Sequence, residues 1–257
     1  MIPLRAPAPA RISFLDTVSY AHRGLHGGAH DGREGPPENS MPAFTAALDA
    51  GYGIECDTRL SADGVPFVFH DATLDRLTGE TGPLAQRSAE ELDRILLKRG
   101  GGAIPRLSAL LDLIAGRAPL LIELKIDRYR ELRPLCEAVR HALARNRGPA
   151  AVMSFHPGVA RWFHSHAPGI VRGLVVTEEN RRGPAGRLAR HLALCAANPD
   201  FLAYDIRDLP NRFVRALRRK GLPVLSWTVR SGRDWRTVEA EADAAIFERT
   251  AFAKDGD

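Results

Sequence analysis

Nine short runs of apolar or alternating residues, separated by helical patterns, constrain the fold of this chain most. They lie at 18–23, 53–60, 66–71, 119–126, 150–155, 171–177, 201–205, 223–229 and 244–247. Helical patterns lie at 42–51, 88–97, 107–116, 129–146, 157–166, 184–197, 210–220 and 232–241. Strands that alternate with helices predict βαβ units and a parallel sheet.

The runs 53–60 and 66–71 depart from this alternation. Only SADGV separates them, whereas a parallel crossover needs about a dozen residues. We therefore predict an antiparallel hairpin in which Asp63 and Gly64 form a two-residue turn, with glycine supplying the positive φ. Counting back from that turn sets Asp57 opposite His70 on the same face.

Without the hairpin strand, eight strands remain, each joined to the next by a helical segment. This order predicts an α/β fold, a single (β/α)8 barrel of the TIM type with an added hairpin strand after its second strand. A chain of 257 residues suits one such domain, with an N-terminal extension at 1–16 and a C-terminal tail at 252–257. No GxGxxG follows the first strand and no Walker sequence occurs, which disfavours the open nucleotide-binding sheets.

Charge and cysteine content narrow the range of partners. The net charge of +5 comes from short arginine groups without interleaved aromatic residues, a pattern more typical of a solvated basic face than of nucleic-acid binding. The positive electrostatic field would still attract an anionic substrate.

Three dispersed cysteines without a CxxC indicate a reducing compartment. Without an apolar signal core or a membrane-length apolar run, we expect a cytoplasmic protein that does not insert stably into membranes. Homo-oligomerisation is left open.

Acidic residues gather toward the ends of two predicted strands. Strand alternation puts Glu55 and Asp57 on one face and, in the fourth predicted run, Glu123 and Lys125 on one face. Carboxylates inside a barrel core are costly unless they are paired or bind a metal. Three carboxylates converging from two strands would suit a hard cation such as Mg²⁺ or Ca²⁺.

Further polar residues should reach the same end of the barrel. His22 and Arg23 end the first strand, and Trp227 lies near the end of the eighth predicted run. Because barrel enzymes carry their chemistry at the carboxyl ends of the strands, we interpret this set as an active site.

Purely structural interpretations remain open for each residue. Asp57 would pair with Arg59 or Arg23 and Glu123 with Lys125, His70 and Asp71 would cap a turn, and Trp227 would be a core aromatic. His26 and His30 lie among glycines and are expected to be solvent-exposed loop residues. Structural ion pairs alone have no reason to gather at one barrel end together with two histidines, which favours the active site.

The ordered motifs resemble those of the glycerophosphodiester phosphodiesterase family. These are His22-Arg23-Gly24, Pro37-Glu38-Asn39-Ser40, Glu55-x-Asp57, His70-Asp71-x-x-Leu74-x-Arg76-x-Thr78, Glu123-x-Lys125 and Trp227-Thr228-Val229. The resemblance implies a TIM barrel and metal-dependent hydrolysis of glycerophosphodiesters to glycerol 3-phosphate and an alcohol. It implies metal ligation by Glu55, Asp57 and Glu123, acid–base catalysis by His22 and His70, phosphate contacts by Arg23 and Lys125, and glycerol contact by Trp227.

The chain also departs from the family pattern. Ser40 replaces a threonine, Arg230 replaces an asparagine, and the last strand reads AAIFERT instead of a Gly-Ile-Ile-Thr-Asp pattern.

The alternative functions are those of a related barrel phosphodiesterase, of the phospholipase C or D kind, and of a catalytically silent barrel that binds a phosphorylated ligand. We take His22 as the base and His70 as the acid.

Overall fold

The computed structural model describes residues 7–27, 29–30 and 33–249. The tail predicted at 252–257 and the first residues of the N-terminal extension lie outside these ranges. The strands are β1 (Tyr20–Ala21), β2 (Ala29–His30), β3 (Arg33–Glu34), β4 (Gly53–Leu60), β5 (Pro66–Val68), β6 (Leu120–Leu124), β7 (Ala150–Ser154), β8 (Val171–Val176), β9 (Phe201–Asp205), β10 (Val224–Val229) and β11 (Ala244–Phe247).

Apart from a short N-terminal helix that was not predicted, the helices lie on the predicted segments, although the segment predicted at 88–97 is α-helical only at 89–92. They are α1 (Pro9–Ile12), α2 (Met41–Asp49), α3 (Ala89–Leu92), α4 (Leu107–Ile114), α5 (Tyr129–Leu143), α6 (Pro157–His166), α7 (Pro184–Ala197), α8 (Arg212–Arg218) and α9 (Gly232–Glu241). No helix in the described part of the chain has both the length and the apolar character to span a bilayer.

Eight parallel strands close into a ring. Their order is β1, β4, β6, β7, β8, β9, β10 and β11, and β1 pairs with both β4 and β11. Strand β5 pairs antiparallel with β4 outside the ring. The predicted (β/α)8 barrel with an added hairpin strand is therefore confirmed.

The hairpin register differs by one residue from the prediction. Thr58 pairs with Val68, and the Ser61 amide donates to the Val65 carbonyl at 2.9 Å. The loop therefore has three residues, with Gly64 at φ +82°. The Ser61 side chain explains this longer loop, because its Oγ accepts from the Val65 amide at 2.9 Å and donates to Asp63 at 2.6 Å.

Large rings fill the barrel interior beside glycines. Tyr20 and Phe201 are fully buried, and a Cβ added at Gly53 or Gly173 would collide with their respective rings. The end of the barrel nearest the strand N-termini is thus packed solid, as barrel interiors generally are. The cavity described below lies at the other end of the barrel, where the strands end in polar residues.

The described part of the N-terminal extension packs against this closed end. Leu15 is fully buried in the cluster that fills the barrel. The Tyr20 hydroxyl donates to the Phe14 carbonyl at 3.0 Å, and Arg11 donates to the Ile170 carbonyl at 2.7 Å. These contacts anchor the extension on the face opposite the polar strand ends.

Candidate active site

A cavity of about 340 Å³ opens at the carboxyl ends of the barrel strands. Below, it is called the central cavity. It contains seven of the eight side chains predicted to form the site: His22, Arg23, Glu55, His70, Glu123, Lys125 and Trp227. The eighth, Asp57, is fully buried and is tied to this group by the ion pairs described next.

Three carboxylates converge in this cavity. Glu55 and Asp57 lie on β4, and Glu123 lies on β6 directly beside Asp57 in the parallel register. All three are buried, and one oxygen from each lies within 4.8 Å of the others. Strand alternation therefore correctly placed them on one inward face.

Two cations contact two of these three carboxylates. The Lys125 Nζ lies 2.6 Å from Glu123 and 2.9 Å from Asp57. The Arg23 Nε lies 3.0 Å from the other Asp57 oxygen. Glu55 accepts a hydrogen bond from the backbone amide of Arg23 at 3.0 Å. The cluster thus carries one excess negative charge when all its acids are ionised, and its all-oxygen donor set fits a hard divalent cation.

The pKa values of the three acids are shifted in different directions. Burial, reinforced by the neighbouring Asp57 and Glu123, raises the pKa of Glu55 well above its usual value. Burial also raises the pKa of Glu123, although Lys125 opposes it. For Asp57, burial acts in the same direction but Lys125 and Arg23 outweigh it, so its pKa is lowered. Glu55 is consequently the acid whose charge is least compensated by the protein.

The proposed structural pairings are partly present. Asp57 does pair with Arg23, and Glu123 does pair with Lys125. Arg59 instead pairs with Asp127 at 2.5 Å, so the Asp57–Arg59 alternative is wrong.

Asn39 is a site residue that the sequence interpretation missed. It is fully buried, its Nδ2 donates to the Asp57 carboxylate at 2.9 Å, and its Oδ1 accepts from the Asp57 amide at 3.3 Å. The neighbouring Ser40 caps α2, because its Oγ accepts a hydrogen bond from the Ala43 amide. Asn39, at φ +54°, is thereby free to brace Asp57.

Glu248 is a second missed residue. Its carboxylate lies 3.0 Å from the His22 Nδ1 and also accepts two hydrogen bonds from Arg230 at 2.8 Å. Burial would raise the pKa of Glu248, but His22 and Arg230 outweigh it and lower the pKa. An ionised carboxylate can only accept, so the His22 Nδ1 carries a proton. Burial lowers the pKa of His22 to about 4 despite the hydrogen bond that His22 donates to Glu248, which leaves Nε2 bare at neutral pH.

A chain of ion pairs joins the second histidine to Arg23. The His70 Nδ1 lies 2.7 Å from Asp71, and Asp71 accepts from Arg76 at 2.6 Å. Arg76 bonds Glu38 at 2.8 Å, and Glu38 bonds Arg23 at 2.8 Å. His70 therefore reaches the central cavity from beyond the end of β5, held by this chain rather than by the predicted cross-strand pairing with Asp57.

His26 is not the exposed loop residue that was predicted. It is half-buried, its ring centroid lies 6.4 Å from that of His22, and its buried Nε2 has no hydrogen-bond partner among the described residues. His22, His26 and Glu248 form a second group whose ligand atoms lie within 4.8 Å of one another. The side chain of His30 lies outside the described part of the chain.

Trp227 forms an aromatic wall of the central cavity. Its Nε1 donates to the Ala203 carbonyl at 2.9 Å, and its ring meets Phe155 edge to face at 5.4 Å. Phe155 is 44% exposed. The wall gives the cavity one apolar side opposite the charged cluster.

Together, the fold and cavity define a barrel with a buried acidic centre, two histidines and two cations at the catalytic end. Residues 22–251 match the model of the glycerophosphoryl diester phosphodiesterase family. The chain therefore belongs to this family of phosphodiester hydrolases.

Comparison with individual proteins extends this finding. A glycerophosphodiester phosphodiesterase of Caldanaerobacter subterraneus subsp. tengcongensis is 27% identical over 246 residues, covering 90% of this chain and 94% of the relative. Glycerophosphodiester phosphodiesterase 1 of Bos taurus is 40% identical over 96 residues, covering 35% of this chain and 27% of the relative. The chain thus aligns with about a quarter of the bovine protein but with nearly all of the bacterial one.

Solved structures share the fold. A phosphodiesterase of Oleispira antarctica, in complex with the product sn-glycerol-3-phosphate, has a TM-score of 0.78 at 22% identity, covering 93% of this chain and 95% of that one. A structure from Silicibacter pomeroyi has a TM-score of 0.76 at 23% identity, covering 93% of each chain. Identities this low support the fold alone.

Proposed function

We infer that the protein hydrolyses glycerophosphodiesters to glycerol 3-phosphate and an alcohol, using a divalent cation held by Glu55, Asp57 and Glu123. The observation that carries this proposal is the buried acidic centre, in which two cations face three carboxylates. Family membership supports the reaction class, and the Oleispira antarctica neighbour binds the product proposed here.

The acidic centre is suited to Mg²⁺ or Ca²⁺ because all its donors are carboxylate oxygens. Bound there, the cation would offset the negative charge that develops on the phosphoryl oxygens. Glu55 supports this assignment most directly, since burial and then repulsion from Asp57 and Glu123 raise its pKa, and a divalent cation would relieve that repulsion.

His22 is proposed as the general base. With its Nδ1 proton donated to Glu248, the Nε2 can accept a proton from the attacking hydroxyl. That hydroxyl is either the 2-hydroxyl of the glycerol, which gives a cyclic phosphate that water then opens, or water itself. A new P–O bond forms as the bond from phosphorus to the alcohol breaks.

His70 is proposed as the general acid. Protonated His70 donates its Nδ1 proton to Asp71 and keeps the Nε2 proton for the leaving alcohol. Burial lowers the pKa of His70, which makes its imidazolium a stronger proton donor. In the cyclic-phosphate route the two histidines exchange roles when water attacks.

Arg23 and Lys125 are proposed to contact the phosphate while holding Asp57 ionised, and Trp227 to contact the glycerol. Both cations line the central cavity next to the acidic centre. Preorganised cations in a partly buried site stabilise developing negative charge more than water would. Trp227 offers an apolar face on the opposite wall.

The decisive experiment is hydrolysis of glycerophosphocholine, -ethanolamine, -glycerol and -inositol. Each is assayed with EDTA and with added Mg²⁺, Ca²⁺ or Mn²⁺. Turnover that EDTA abolishes and a metal restores is the expected result. Absence of turnover with every diester and every metal would reject the proposal.

Histidine variants test the assignment of roles. His22→Ala and His70→Ala should each lower kcat by orders of magnitude, because each removes a proton-transfer group. His26→Ala is the matched control, since this neighbouring histidine has no hydrogen bond from its Nε2 and is assigned no proton transfer. An inactive His26→Ala with a fully active His22→Ala would show that the wrong histidine was chosen.

A further inference from the structure

A second pocket of about 530 Å³ adjoins the central cavity on the His70 side. We call it the basic pocket after its charged lining residues, Arg59, Lys125, Asp127, Arg128, Arg130 and Glu131; the rest of its lining is mainly apolar and includes Leu60, Leu84 and Leu135. Lys125 lines both the basic pocket and the central cavity. The Arg59 Nε donates to the His70 carbonyl at 2.7 Å, so the basic pocket begins directly beside the proposed general acid.

Cations outnumber carboxylates among the charged side chains of this pocket. It contains four cationic side chains and two carboxylates. Lys125 is committed to the acidic centre, and Arg59 is paired with Asp127. The remaining carboxylate, Glu131, accepts from the backbone amide of Arg128 at 3.3 Å.

Two arginines in this pocket have free guanidinium groups. Arg128 and Arg130 are exposed, and neither has an ion pair with any other residue in the described part of the chain. They flank the start of α5, where Tyr129 between them is 79% exposed. Planar guanidinium groups favour phosphate because two N–H donors can bind two oxygens at once.

We propose that the basic pocket binds a second phosphate carried by the leaving alcohol, so that the preferred substrates are glycerophosphodiesters whose alcohol bears a further phosphate group. This inference rests on the proposed function, since His70 must protonate the alcohol for that alcohol to face the basic pocket. The volume accommodates a group larger than the alcohol oxygen and its first carbons. Choline brings a cation instead, which the unpaired Arg128 and Arg130 repel.

The test compares substrates that differ in this one group. Bis(glycerophospho)glycerol carries a second phosphodiester that glycerophosphoglycerol lacks, and glycerophosphocholine carries a cation. For the wild-type enzyme with saturating metal, kcat/KM should be at least about tenfold higher for the doubly charged substrate than for glycerophosphoglycerol. The advantage should shrink as salt is raised, because the two arginines are exposed.

Charge reversal identifies the residues responsible. The double variant Arg128→Glu with Arg130→Glu should lose about tenfold or more of kcat/KM for bis(glycerophospho)glycerol, whereas its kcat/KM for glycerophosphocholine should rise, because the variant no longer repels the choline cation. The matched control is Arg133→Glu on the same helix, whose side chain is 79% exposed and pairs with Glu137 outside the pocket. It should preserve the substrate preference.

The outcomes separate this inference from the proposed function. Equal kcat/KM for the two glycerol substrates in the wild type, or an equal loss on all substrates in the double variant, would overturn the basic pocket as a phosphate subsite. Either result leaves the hydrolase assignment intact, because turnover itself is observed. Lack of turnover on every diester would instead reject the proposed function.

Discussion

Replacing Glu248 with glutamine should disable the proposed base without changing the shape of the site. In the wild type, the ionised carboxylate accepts the His22 Nδ1 proton at 3.0 Å and leaves Nε2 bare. The glutamine amide can turn its NH₂ toward Nδ1, and this arrangement stabilises the tautomer whose Nε2 carries the proton. That tautomer cannot accept a proton from a nucleophile.

The structure sets the expected size of the effect. A hydrogen bond to a charged partner contributes about 1.5–3 kcal/mol, and about 1.4 kcal/mol corresponds to a factor of ten. Loss of that bond alone predicts about a ten- to hundredfold fall in kcat/KM. Amide replacement of the acid in a catalytic acid–histidine pair can cost about 10⁴-fold through the wrong tautomer. We therefore expect a fall of about 10² to 10⁴-fold for Glu248→Gln.

Steady-state kinetics with glycerophosphoglycerol at saturating metal measure this fall, and thermal unfolding checks that the variant is folded. Arg230→Gln is the control, because Arg230 is 56% exposed and its loss leaves the His22–Glu248 bond in place. It should cost less than about fivefold. A folded Glu248→Gln enzyme with wild-type kcat/KM would refute the claim that Glu248 sets the His22 tautomer.

Three further predictions follow from the buried acids. Glu55→Gln should weaken Mg²⁺ or Ca²⁺ binding at least about tenfold in calorimetric titration. It should not destabilise the metal-free protein, because burial raises the pKa of Glu55 and disfavours its charged form. Unchanged metal affinity would contradict the role of Glu55 as a ligand. Asn39→Ala should lower the free energy of unfolding, measured in urea, by about 2–4 kcal/mol, since it removes both hydrogen bonds to Asp57. A loss below about 1 kcal/mol would show that these hydrogen bonds contribute little to stability. The Arg215 hydrogen bonds lower the pKa of Glu241 despite burial, so this pair stabilises the fold above the unfolded-state pKa and loses that stabilisation as pH falls through the lowered value. The deficit of Glu241→Gln in urea unfolding should therefore be largest near pH 7 and vanish in acid; a deficit independent of pH would show that ionisation is not involved.

Strand periodicity located the acidic centre because it depends on local geometry alone. Side chains two residues apart must share a face, so Glu55 and Asp57 could be paired without knowing the fold. Counting strands and helices then gave the barrel and brought Glu123 to the same end. These inferences tolerate errors of one or two residues in element boundaries.

The hairpin register did not tolerate such an error. Asp63 and Gly64 suggested a two-residue turn, but hydrogen bonds from the Ser61 side chain stabilise a three-residue loop. The residue opposite Asp57 is consequently Phe69, whose amide donates to the Asp57 carbonyl at 3.0 Å. His70 still lines the cavity, because it lies past the last paired residue and is positioned by Asp71.

Local sequence patterns do not predict contacts between distant parts of the chain. Glu248 follows β11, and its sequence motif departs from the family pattern, so the acid carried no signal of its contact with His22. Asn39 was noted as part of a motif, and only the observed fold shows that its side chain bonds Asp57. Glu248 contacts His22, and Asn39 contacts Asp57. Each contact joins two segments that come together only in the folded barrel.

Because β1 and β11 pair to close the ring, His22 and Glu248 can meet only after the last strand has been synthesised. His22 leaves the ribosome with the first strand, whereas its partner Glu248 lies 226 residues later. During synthesis the histidine therefore exists without the acid that sets its tautomer. Pairings so distant in sequence also form slowly. With His22 as the proposed base, proton transfer would begin only when the last strand docks, so an incomplete chain would lack a working base.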